Sequence, residues 1–249
     1  MIRHPKRFLA ATLLACAPAL PASAALRVYS PYVEEGEAEI ETQFDATADH
    51  RPTKTGAYTA NISVGYGVTS FWKAEVEGQW KRDPQGGMTF DSTSFENVFQ
   101  VTEQGKYDVD VGFFAEIETV RKRGDHNSIT LGPIFRKEFG SNVTTVNFLF
   151  THELGNRSAA GATFETRVQS LWPITDALQG GIEAYWQPGR LGAFPGVNTQ
   201  GLRSGPALAG DWRVPGLGKL KYELGYLVGI TANAPQGTLR GVLEYEFRF

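Results

Sequence analysis

The sequence predicts an all-β protein, a closed antiparallel up-and-down transmembrane β-barrel of about 12 strands. Three observations lead to this prediction. Apolar and polar residues alternate in segments along the whole chain, short turns alternate with mostly longer loops, and five tryptophans lie near the predicted strand ends. After the N-terminal region, no stretch shows a sustained helical apolar period or an apolar run long enough to cross a membrane as a helix.

The strands are predicted from period-2 segments that recur between clusters of Gly, Pro, Asn, Asp and Ser. We place them at 36–46, 56–69, 71–82, 92–103, 107–121, 128–139, 143–154, 161–172, 177–187, 200–213, 219–231 and 238–249. Most are longer than the strands of soluble sheets and have the length of a tilted strand that crosses a bilayer. Because an open edge leaves backbone groups unpaired in lipid, such strands must close into a barrel.

The connections predict which rim faces which side. Connections after even-numbered strands are mostly short, at 69–70, 103–106, 140–142, 173–176 and 214–219. Those after odd-numbered strands include 47–55, 83–91, 122–127 and 187–199. Short turns at one rim and longer loops at the other are typical of bacterial outer-membrane barrels, with the short turns in the periplasm.

Tryptophan gives an independent indication. All five lie on the outward parity, and we predict an aromatic girdle of Trp72, Trp172 and Trp212 at the periplasmic rim and Trp80 and Trp186 at the outer rim. Amphipathic rings favour the membrane–water interface. Pairing of tryptophans in a soluble core would not predict two levels, whereas Trp72 and Trp80 are roughly 20 Å apart along one tilted strand.

Residues 1–24 have the features of a secretory signal peptide. Arg3, Lys6 and Arg7 are followed by a short apolar region and a small-residue cleavage site ending at Ala24. The alternative is lipoprotein processing at Cys16, the single cysteine of the chain. Cleavage after Ala24 removes that cysteine and leaves no disulfide framework. We assign 25–35 to a short periplasmic N-terminal segment and 36–249 to the barrel.

The charge of the chain argues against a nucleic-acid partner. Of 24 Lys+Arg and 27 Asp+Glu, three basic residues lie in the signal, which leaves 24 − 3 = 21 basic residues, 27 acidic residues and a net charge of −6. The parity of the strands predicts these charged residues in the lumen: Glu75, Glu77, Asp108, Asp110, Glu116, Glu118, Arg136, Arg167, Glu183, Arg203, Glu223 and Arg240. They could form a paired network that fills the interior, or an aqueous path that favours cations.

The chain ends on "LEYEFRF", residues 243–249, in which apolar and charged residues strictly alternate. With this terminus and its strand pattern, the chain resembles bacterial outer-membrane β-barrel proteins. The resemblance implies that Tyr245, Phe247 and Phe249 form the signal for the barrel-assembly machinery. Within that family, "GYGVTSFWKAEVEG" (65–78) resembles the hairpins of MetA-pathway-type outer-membrane transporters.

The resemblance implies a location in the cell outer membrane, with outer-membrane lipid and lipopolysaccharide as partners. We predict a passive channel or transporter for small solutes with an acidic lumen. A non-conducting structural or adhesive barrel with a filled polar lumen is the main alternative. The basic residues expected near lipopolysaccharide phosphates are Arg51, Lys54, Lys81, Arg82, Arg121, Lys122, Arg123, Arg157 and Arg190.

A lipid hydrolase is the disfavoured alternative. "THELGNRS" (151–158) is similar to the His-x-Ser-Asn motif of outer-membrane phospholipases, but Leu154 stands where that motif has its serine. Without a hydroxyl beside His152 there is no activated nucleophile, and Ser158 and Ser170 lie in a loop and on the next strand. No cluster has zinc-ligand spacing. We predict no enzyme activity, no metal and no cofactor.

Deleting Phe249, or replacing it with a charged residue, is expected to damage both the assembly signal and the closing strand. The chain should then accumulate in the periplasm and be degraded. Heat-modifiable gel migration of outer-membrane fractions measures the folded barrel. A normal barrel level in this variant would contradict our interpretation of the terminus.

Overall fold

The computed structural model describes residues 26–122, 124–156, 158, 160–216 and 218–248. The predicted signal peptide with Cys16 lies outside the described residues, as do Arg123, Arg157 and Phe249. Within the described ranges, no helix has the length and apolar character needed to span a membrane.

The fold is a closed antiparallel barrel of 12 strands, which confirms the predicted fold class. The strands are β1 (Glu37–Ala48), β2 (Tyr58–Thr69), β3 (Trp72–Arg82), β4 (Met88–Gln100), β5 (Asp110–Val120), β6 (Ser128–Phe139), β7 (Asn142–Glu153), β8 (Thr163–Thr175), β9 (Leu178–Arg190), β10 (Gly201–Val214), β11 (Gly218–Gly229) and β12 (Gly237–Arg248). Each strand pairs with its sequence neighbours, and β1 pairs with β12 to close the wall. One short 3-10 helix, Val197–Thr199, precedes β10.

The largest shift from the predicted boundaries is at β4, which begins four residues earlier than predicted. The cause is a β-bulge. Gln79 pairs with Ser92, but the next pair joins Trp80 to Phe90, so Asp91 is an extra residue in β4. Beyond the bulge, the β3–β4 ladder continues to the pair of Arg82 and Met88, so β4 begins at Met88.

The connection between β4 and β5 also differs from the prediction, because it spans 101–109 rather than a tight turn. The Gly105 amide donates to Asp110 Oδ1 at 2.9 Å, and the Val111 amide donates to Thr102 Oγ1 at 2.8 Å, which orders this connection. Asp108 therefore precedes the strand and is exposed. Its predicted place in the lumen wall is wrong.

The two rims differ in the length of their connections. The connections 70–71, 101–109, 140–141, 176–177 and 215–217 lie at one end, which we name the short-turn rim. The connections 49–57, 83–87, 121–127, 154–162, 191–200 and 230–236 lie at the other end, the long-loop rim. Apart from 101–109, this is the predicted asymmetry.

Three loops of the long-loop rim are interlocked. Arg51 Nη1 donates to the Ala232 carbonyl at 2.5 Å, and Lys54 donates to the Asn233 carbonyl. The Asn233 side chain in turn donates to the Thr199 carbonyl at 3.0 Å. Arg51 also binds Asp49, and this hydrogen bond lowers the pKa of the Asp49 carboxyl well below its usual range. These contacts tie loop 49–57 to loop 230–236 and loop 230–236 to loop 191–200.

Apolar side chains point outward and polar side chains point inward. The exposed outward residues include Ile62, Val64, Val76, Phe113, Ile117, Leu131, Ile182, Leu224 and Leu243, whereas the buried inward residues include Glu41, Gln43, Glu75, Glu96, Glu116, Asn147, Arg167 and Arg240. A soluble protein has the opposite distribution. The arrangement is that of a barrel whose outer surface contacts lipid.

The tryptophans predicted to form the aromatic girdle lie near the ends of their strands. Trp72 begins β3 and Trp80 lies near its end. Trp172, Trp186 and Trp212 lie three, four and two residues before the ends of β8, β9 and β10. The rings of Tyr245 and Phe247 stack on β12 with centroids 5.4 Å apart. Their roles in a membrane girdle and in assembly stay predictions.

Replacing Phe113 with Arg is expected to lower the free energy of unfolding by about 2–4 kcal/mol, because it places a charge on the lipid-facing surface three residues inside β5. Phe139→Arg is the matched control. It makes the same exchange at the end of β6, where the expected cost is about 0–1 kcal/mol. A urea titration in lipid vesicles measures both, and equal costs would contradict the predicted depth.

Candidate functional site: a divided lumen

The chain that precedes β1 lies inside the barrel. We predicted 25–35 as a periplasmic segment, but Leu26, Val28 and Tyr29 are 2%, 8% and 6% exposed. The Leu26 amide donates to Asp45 Oδ2 at 2.9 Å, well inside the wall formed by β1. The structure thus differs from our prediction in placing this segment in the lumen. We name residues 26–35 the lumen segment.

Lumen side chains bind the backbone of this segment. The Tyr29 amide donates to Asn147 Oδ1 at 2.7 Å, and Asn147 Nδ2 donates to the Tyr29 carbonyl at 3.0 Å. Arg167 Nη1 donates to the Arg27 carbonyl at 2.9 Å. Buried peptide groups require such partners, and here the wall supplies what a neighbouring strand supplies elsewhere.

Apolar contacts add to these hydrogen bonds. The Tyr29 ring stacks on Phe114 with centroids 4.0 Å apart, and Val98, Ile134 and Leu149 complete the cluster. A second cluster joins Leu26 and Val28 to Tyr185 and Leu227. The apolar residues on the lumen face of β4–β7, β9 and β11 therefore have a specific partner in the lumen segment.

The segment also lies close to the wall at Gly112. A Cβ atom at this position would lie 2.8 Å from the Cα atom of Pro31, so only glycine leaves room for the segment. Gly112 does face the lumen, as its parity predicts. The lumen at that point is nevertheless filled by Pro31.

Arg27 forms the main charge contact of the lumen segment. Its Nη2 lies 2.7 Å from Glu41 Oε2 and 3.6 Å from Glu244 Oε2, and its Nη1 lies 3.4 Å from Glu75 Oε1. These carboxylates belong to β1, β12 and β3. One guanidinium therefore compensates acidic groups from three strands, which would otherwise repel one another.

Tyr32 anchors the segment nearer the short-turn rim. Its hydroxyl donates to Asp110 Oδ2 at 2.5 Å, and its ring lies 5.1 Å from the Arg136 guanidinium carbon. Burial, followed by the hydrogen bond to Asp110, raises the pKa of Tyr32 to about 12. The hydroxyl stays protonated and able to donate at any physiological pH.

A second arginine is fully buried in the wall itself. Arg240 Nη2 and Nε lie 2.6 Å from the two Glu183 carboxylate oxygens, and Arg240 also binds Glu223. Its Nη1 donates to the Leu26 carbonyl at 3.2 Å. This network links β9, β11 and β12 to the start of the lumen segment.

One trio of carboxylates in the described ranges has oxygen atoms close enough to share an ion. Glu39, Glu244 and Glu246 lie within 4.8 Å of one another. Lys73 Nζ lies 2.5 Å from Glu39, and Lys221 Nζ lies 3.0 Å from Glu244 and also contacts Glu246. Lys219 Nζ also lies 3.5 Å from Glu246, so three ammonium groups face these three carboxylates and the trio does not favour a metal.

Glu96 and Glu116 lack such compensation, whereas the neighbouring Glu75 contacts both Arg27 and Lys73. Glu75, Glu96 and Glu116 lie directly opposite one another on β3, β4 and β5. Glu116 accepts a hydrogen bond from Ser94 at 2.9 Å, and Glu96 accepts one from Tyr29 at 3.4 Å. In the part of the chain that the structure describes, no lysine or arginine nitrogen lies within 4.0 Å of Glu96 or Glu116. Within the described chain, their hydrogen-bond partners are thus the neutral hydroxyl groups of Tyr29 and Ser94.

The lumen segment divides the interior into two cavities that share Tyr29. The cavity towards the short-turn rim has a volume of about 430 Å³ and is lined by both acidic and basic groups, among them Glu39, Lys73, Arg136 and Lys221. The cavity towards the long-loop rim has a volume of about 580 Å³. Its lining includes Glu116, Glu118, Glu153, Glu165 and Arg167.

The structure brings most of the predicted lumen charges together. Those buried or half-buried in the barrel are Glu75, Glu77, Asp110, Glu116, Glu118, Arg136, Arg167, Glu183, Arg203, Glu223 and Arg240. Sequence reasoning missed Arg27 and Tyr29, which lie before the first strand. The apolar residues at polar-parity positions, such as Phe114 and Ile134, were the signal that something covers them.

The histidine considered for catalysis contacts a backbone group. His152 Nδ1 lies 3.3 Å from the Gly161 carbonyl oxygen. Ser158 donates to the Gly155 carbonyl at 2.9 Å, and Ser170 exchanges hydrogen bonds with Asn142 on β7. The hydroxyl groups of both serines thus have hydrogen-bond partners other than His152. This geometry does not support a hydrolase.

No protein-family model matches the chain, and comparison with curated proteins also finds no match. Solved structures do match. A KdgM porin is 11% identical, with 84% of this chain and 99% of that chain covered and a TM-score of 0.54. An outer membrane channel from Pseudomonas putida is 10% identical, with 87% and 97% covered and a TM-score of 0.58. The translocator domain of the autotransporter NalP from Neisseria meningitidis is 15% identical, with 87% and 89% covered and a TM-score of 0.50.

At these identities the similarity concerns the fold. The chain has the fold of bacterial outer-membrane β-barrel proteins, which confirms that the predicted resemblance holds at the level of architecture.

Arg27→Gln is expected to release the lumen segment, because loss of a buried ion-pair partner costs about 3–5 kcal/mol. A Val28→Cys reporter should then react with a thiol reagent at least about a hundredfold faster. Arg248→Gln is the control, since its pair with Glu34 is exposed and worth about 0–1 kcal/mol. Equal labelling rates in the two variants would show that Arg27 does not hold the segment.

Proposed function

We propose that this protein is a channel of the cell outer membrane for small solutes, with a lumen that is restricted by its own N-terminal segment. The observation that carries the proposal is the pair of cavities on either side of one extended stretch of chain. A short segment held by side-chain contacts can be displaced without breaking the wall, because the strand ladder does not include it. Among the solved structures of the same fold are one named a porin and one named a channel.

The charge of the lumen supports a preference for cations. Glu96 and Glu116 lack a basic partner within 4.0 Å in the described residues. The cavity towards the long-loop rim is lined by further carboxylates such as Glu118 and Glu153. A ring of carboxylates concentrates cations and repels anions, and salt weakens the effect.

Outer-membrane lipid, lipopolysaccharide and the barrel-assembly machinery are the partners that fit this function. The exposed apolar wall is complementary to lipid tails. Of the basic residues predicted near lipopolysaccharide, Arg51 and Lys54 are used between loops and Lys81 lies 2.6 Å from Asp91. The exposed Arg121 and Lys122 are the better candidates for phosphate contacts.

A non-conducting structural barrel is the second candidate. The buried network of Arg240, Glu183 and Glu223 favours it, because such a network makes the wall rigid and fills part of the lumen. A lipid hydrolase is not proposed, since His152 contacts a backbone carbonyl and not a hydroxyl.

Conductance in planar bilayers separates these two candidates. We expect the barrel with its lumen segment to conduct weakly, and a variant lacking residues 26–33 to conduct several-fold better because the two cavities then join. Both samples must first show heat-modifiable migration of a folded barrel. The absence of conductance in both folded samples would favour the non-conducting barrel.

Ion selectivity tests the role of the carboxylates. The double variant Glu116→Gln, Glu118→Gln is expected to shift the reversal potential in a salt gradient towards zero, because two lumen charges are lost. Glu103→Gln, in the exposed connection 101–109, should leave the reversal potential unchanged. A preference for anions at low salt in the unmodified barrel would contradict the acidic-lumen channel.

A further inference from the structure

Arg27 places a guanidinium group among three carboxylates that belong to separate strands of the wall. Its Nη2 lies 2.7 Å from Glu41 Oε2 and 3.6 Å from Glu244 Oε2, and its Nη1 lies 3.4 Å from Glu75 Oε1. We name these three glutamates the carboxylate cradle. They belong to β1, β12 and β3, whereas Arg27 belongs to the lumen segment, outside the strand ladder. The wall therefore sets the positions of the cradle, independently of the group that fills it.

Arg27 fits the carboxylate cradle poorly. Of its three contacts, the one with Glu75 has the geometry of a hydrogen bond, and at 3.4 Å it is long. Glu41 is 2% exposed, yet its Oε2 atom accepts no hydrogen bond from the described chain. A guanidinium and a carboxylate pair most strongly through two parallel hydrogen bonds of about 2.7–2.9 Å. The backbone of the lumen segment thus holds Arg27 at the cradle without satisfying Glu41 Oε2.

Glu41 depends on Arg27 for its counter-charge. Among the described residues, Arg27 is the only lysine or arginine with a nitrogen within 4.0 Å of Glu41. Glu75 and Glu244 each contact a lysine as well. When Arg27 moves away, one buried carboxylate is left without a cation, and a buried charge requires a partner. A mobile cation could take the place of Arg27.

A cavity beside the carboxylate cradle provides the space for such a cation. The cavity towards the short-turn rim is lined by Arg27, Glu41 and Glu244. Its volume of about 430 Å³ lies within the range of about 300–1,000 Å³ that is typical of small-molecule sites. A small organic cation can therefore lie in the cavity with its charged group at the cradle.

We propose that the carboxylate cradle binds a small solute that carries a guanidinium group, and that Arg27 occupies this site as a tethered substitute. The chemistry of the solute follows from the group that the structure shows there. A guanidinium presents its nitrogens in a planar fork that contacts several carboxylates at once, whereas an ammonium is a point charge. The solute displaces Arg27 and loosens the lumen segment. This inference rests on the proposed channel, because the solute reaches the cradle through the lumen.

The tether determines the concentration at which a solute competes with Arg27. A group on a short flexible linker acts at an effective concentration in the millimolar range. A free guanidinium must therefore be present at a similar concentration to displace it. The free group has one advantage, because it can turn to align its hydrogen bonds with Glu41, which Arg27 does not do.

Labelling of a Val28→Cys barrel that keeps Arg27 tests the displacement. With a neutral maleimide, methylguanidinium chloride at millimolar concentration should raise the labelling rate several-fold and then saturate. Methylammonium chloride should have a smaller effect, and sodium chloride at the same ionic strength is the control for screening. An equal increase with all three salts, or no increase with any of them, would overturn the proposal.

Calorimetry on Arg27→Gln tests the carboxylate cradle itself, because this variant removes the tethered group. We expect one saturable methylguanidinium site. The double variant Arg27→Gln, Glu41→Gln should bind at least about tenfold more weakly, because a charge-assisted hydrogen bond is lost. Arg27→Gln, Glu103→Gln is the matched control, since it makes the same charge change in the exposed connection 101–109. An equal affinity in the two double variants would contradict the site.

Each variant must first show heat-modifiable migration of a folded barrel. If the Glu41 variant does not fold, labelling of the Val28→Cys barrel decides the question, because that barrel keeps every residue of the cradle. Conductance is measured separately. Methylguanidinium binding in a barrel that does not conduct would support the site and contradict the channel, whereas conductance without such binding would support the channel and overturn this inference.

Discussion

The structure depends on one constraint, which is that hydrocarbon offers no hydrogen-bond partner to a peptide group. The wall must therefore close on itself, and it does so where β1 pairs with β12 over their whole lengths, from Glu37 opposite Arg248 to Ala48 opposite Gly237. Closure gives every strand one face towards lipid and one towards the lumen. The alternation of apolar and polar residues follows from that geometry and not from packing around a central hydrophobic core.

Closure also creates an electrostatic problem inside the wall. Glutamates on neighbouring strands are held opposite one another, as Glu75 and Glu96 are, and like charges at such positions repel. A small number of centrally placed basic side chains reduces this repulsion. Arg240 comes from the wall, whereas Arg27 comes from the lumen segment and reaches carboxylates of three strands. The segment is thus part of the charge balance of the wall as well as an obstacle in its lumen.

The strands could be predicted from the sequence because their signal is local and repeats every two residues. β6, for example, has the predicted bounds, 128–139. The early start of β4 could not be predicted, since the extra residue at Asp91 interrupts the period that the prediction uses. A bulge depends on the partner strand, and a single strand does not reveal it.

The lumen segment could not be predicted for a different reason. Its contacts join residues far apart in the chain, such as Tyr29 and Asn147, which are 118 residues apart. They involve single side chains with no repeating pattern. The sequence did contain an indirect sign in Phe114, an aromatic residue at a position whose neighbours Gly112 and Glu116 belong to a polar face. Such an exception to the alternation marks where a lumen is covered.

The interlocked loops have a mechanical consequence for the seam between β1 and β12. Loop 49–57 follows β1 and loop 230–236 precedes β12, so the contacts of Arg51 and Lys54 act as a clasp across the seam at the long-loop rim. At the opposite end, the tie between the lumen segment and β12 is the exposed pair of Arg248 and Glu34. Side-chain contacts therefore hold the seam more firmly at the long-loop rim than at the short-turn rim, where the lumen segment enters the barrel.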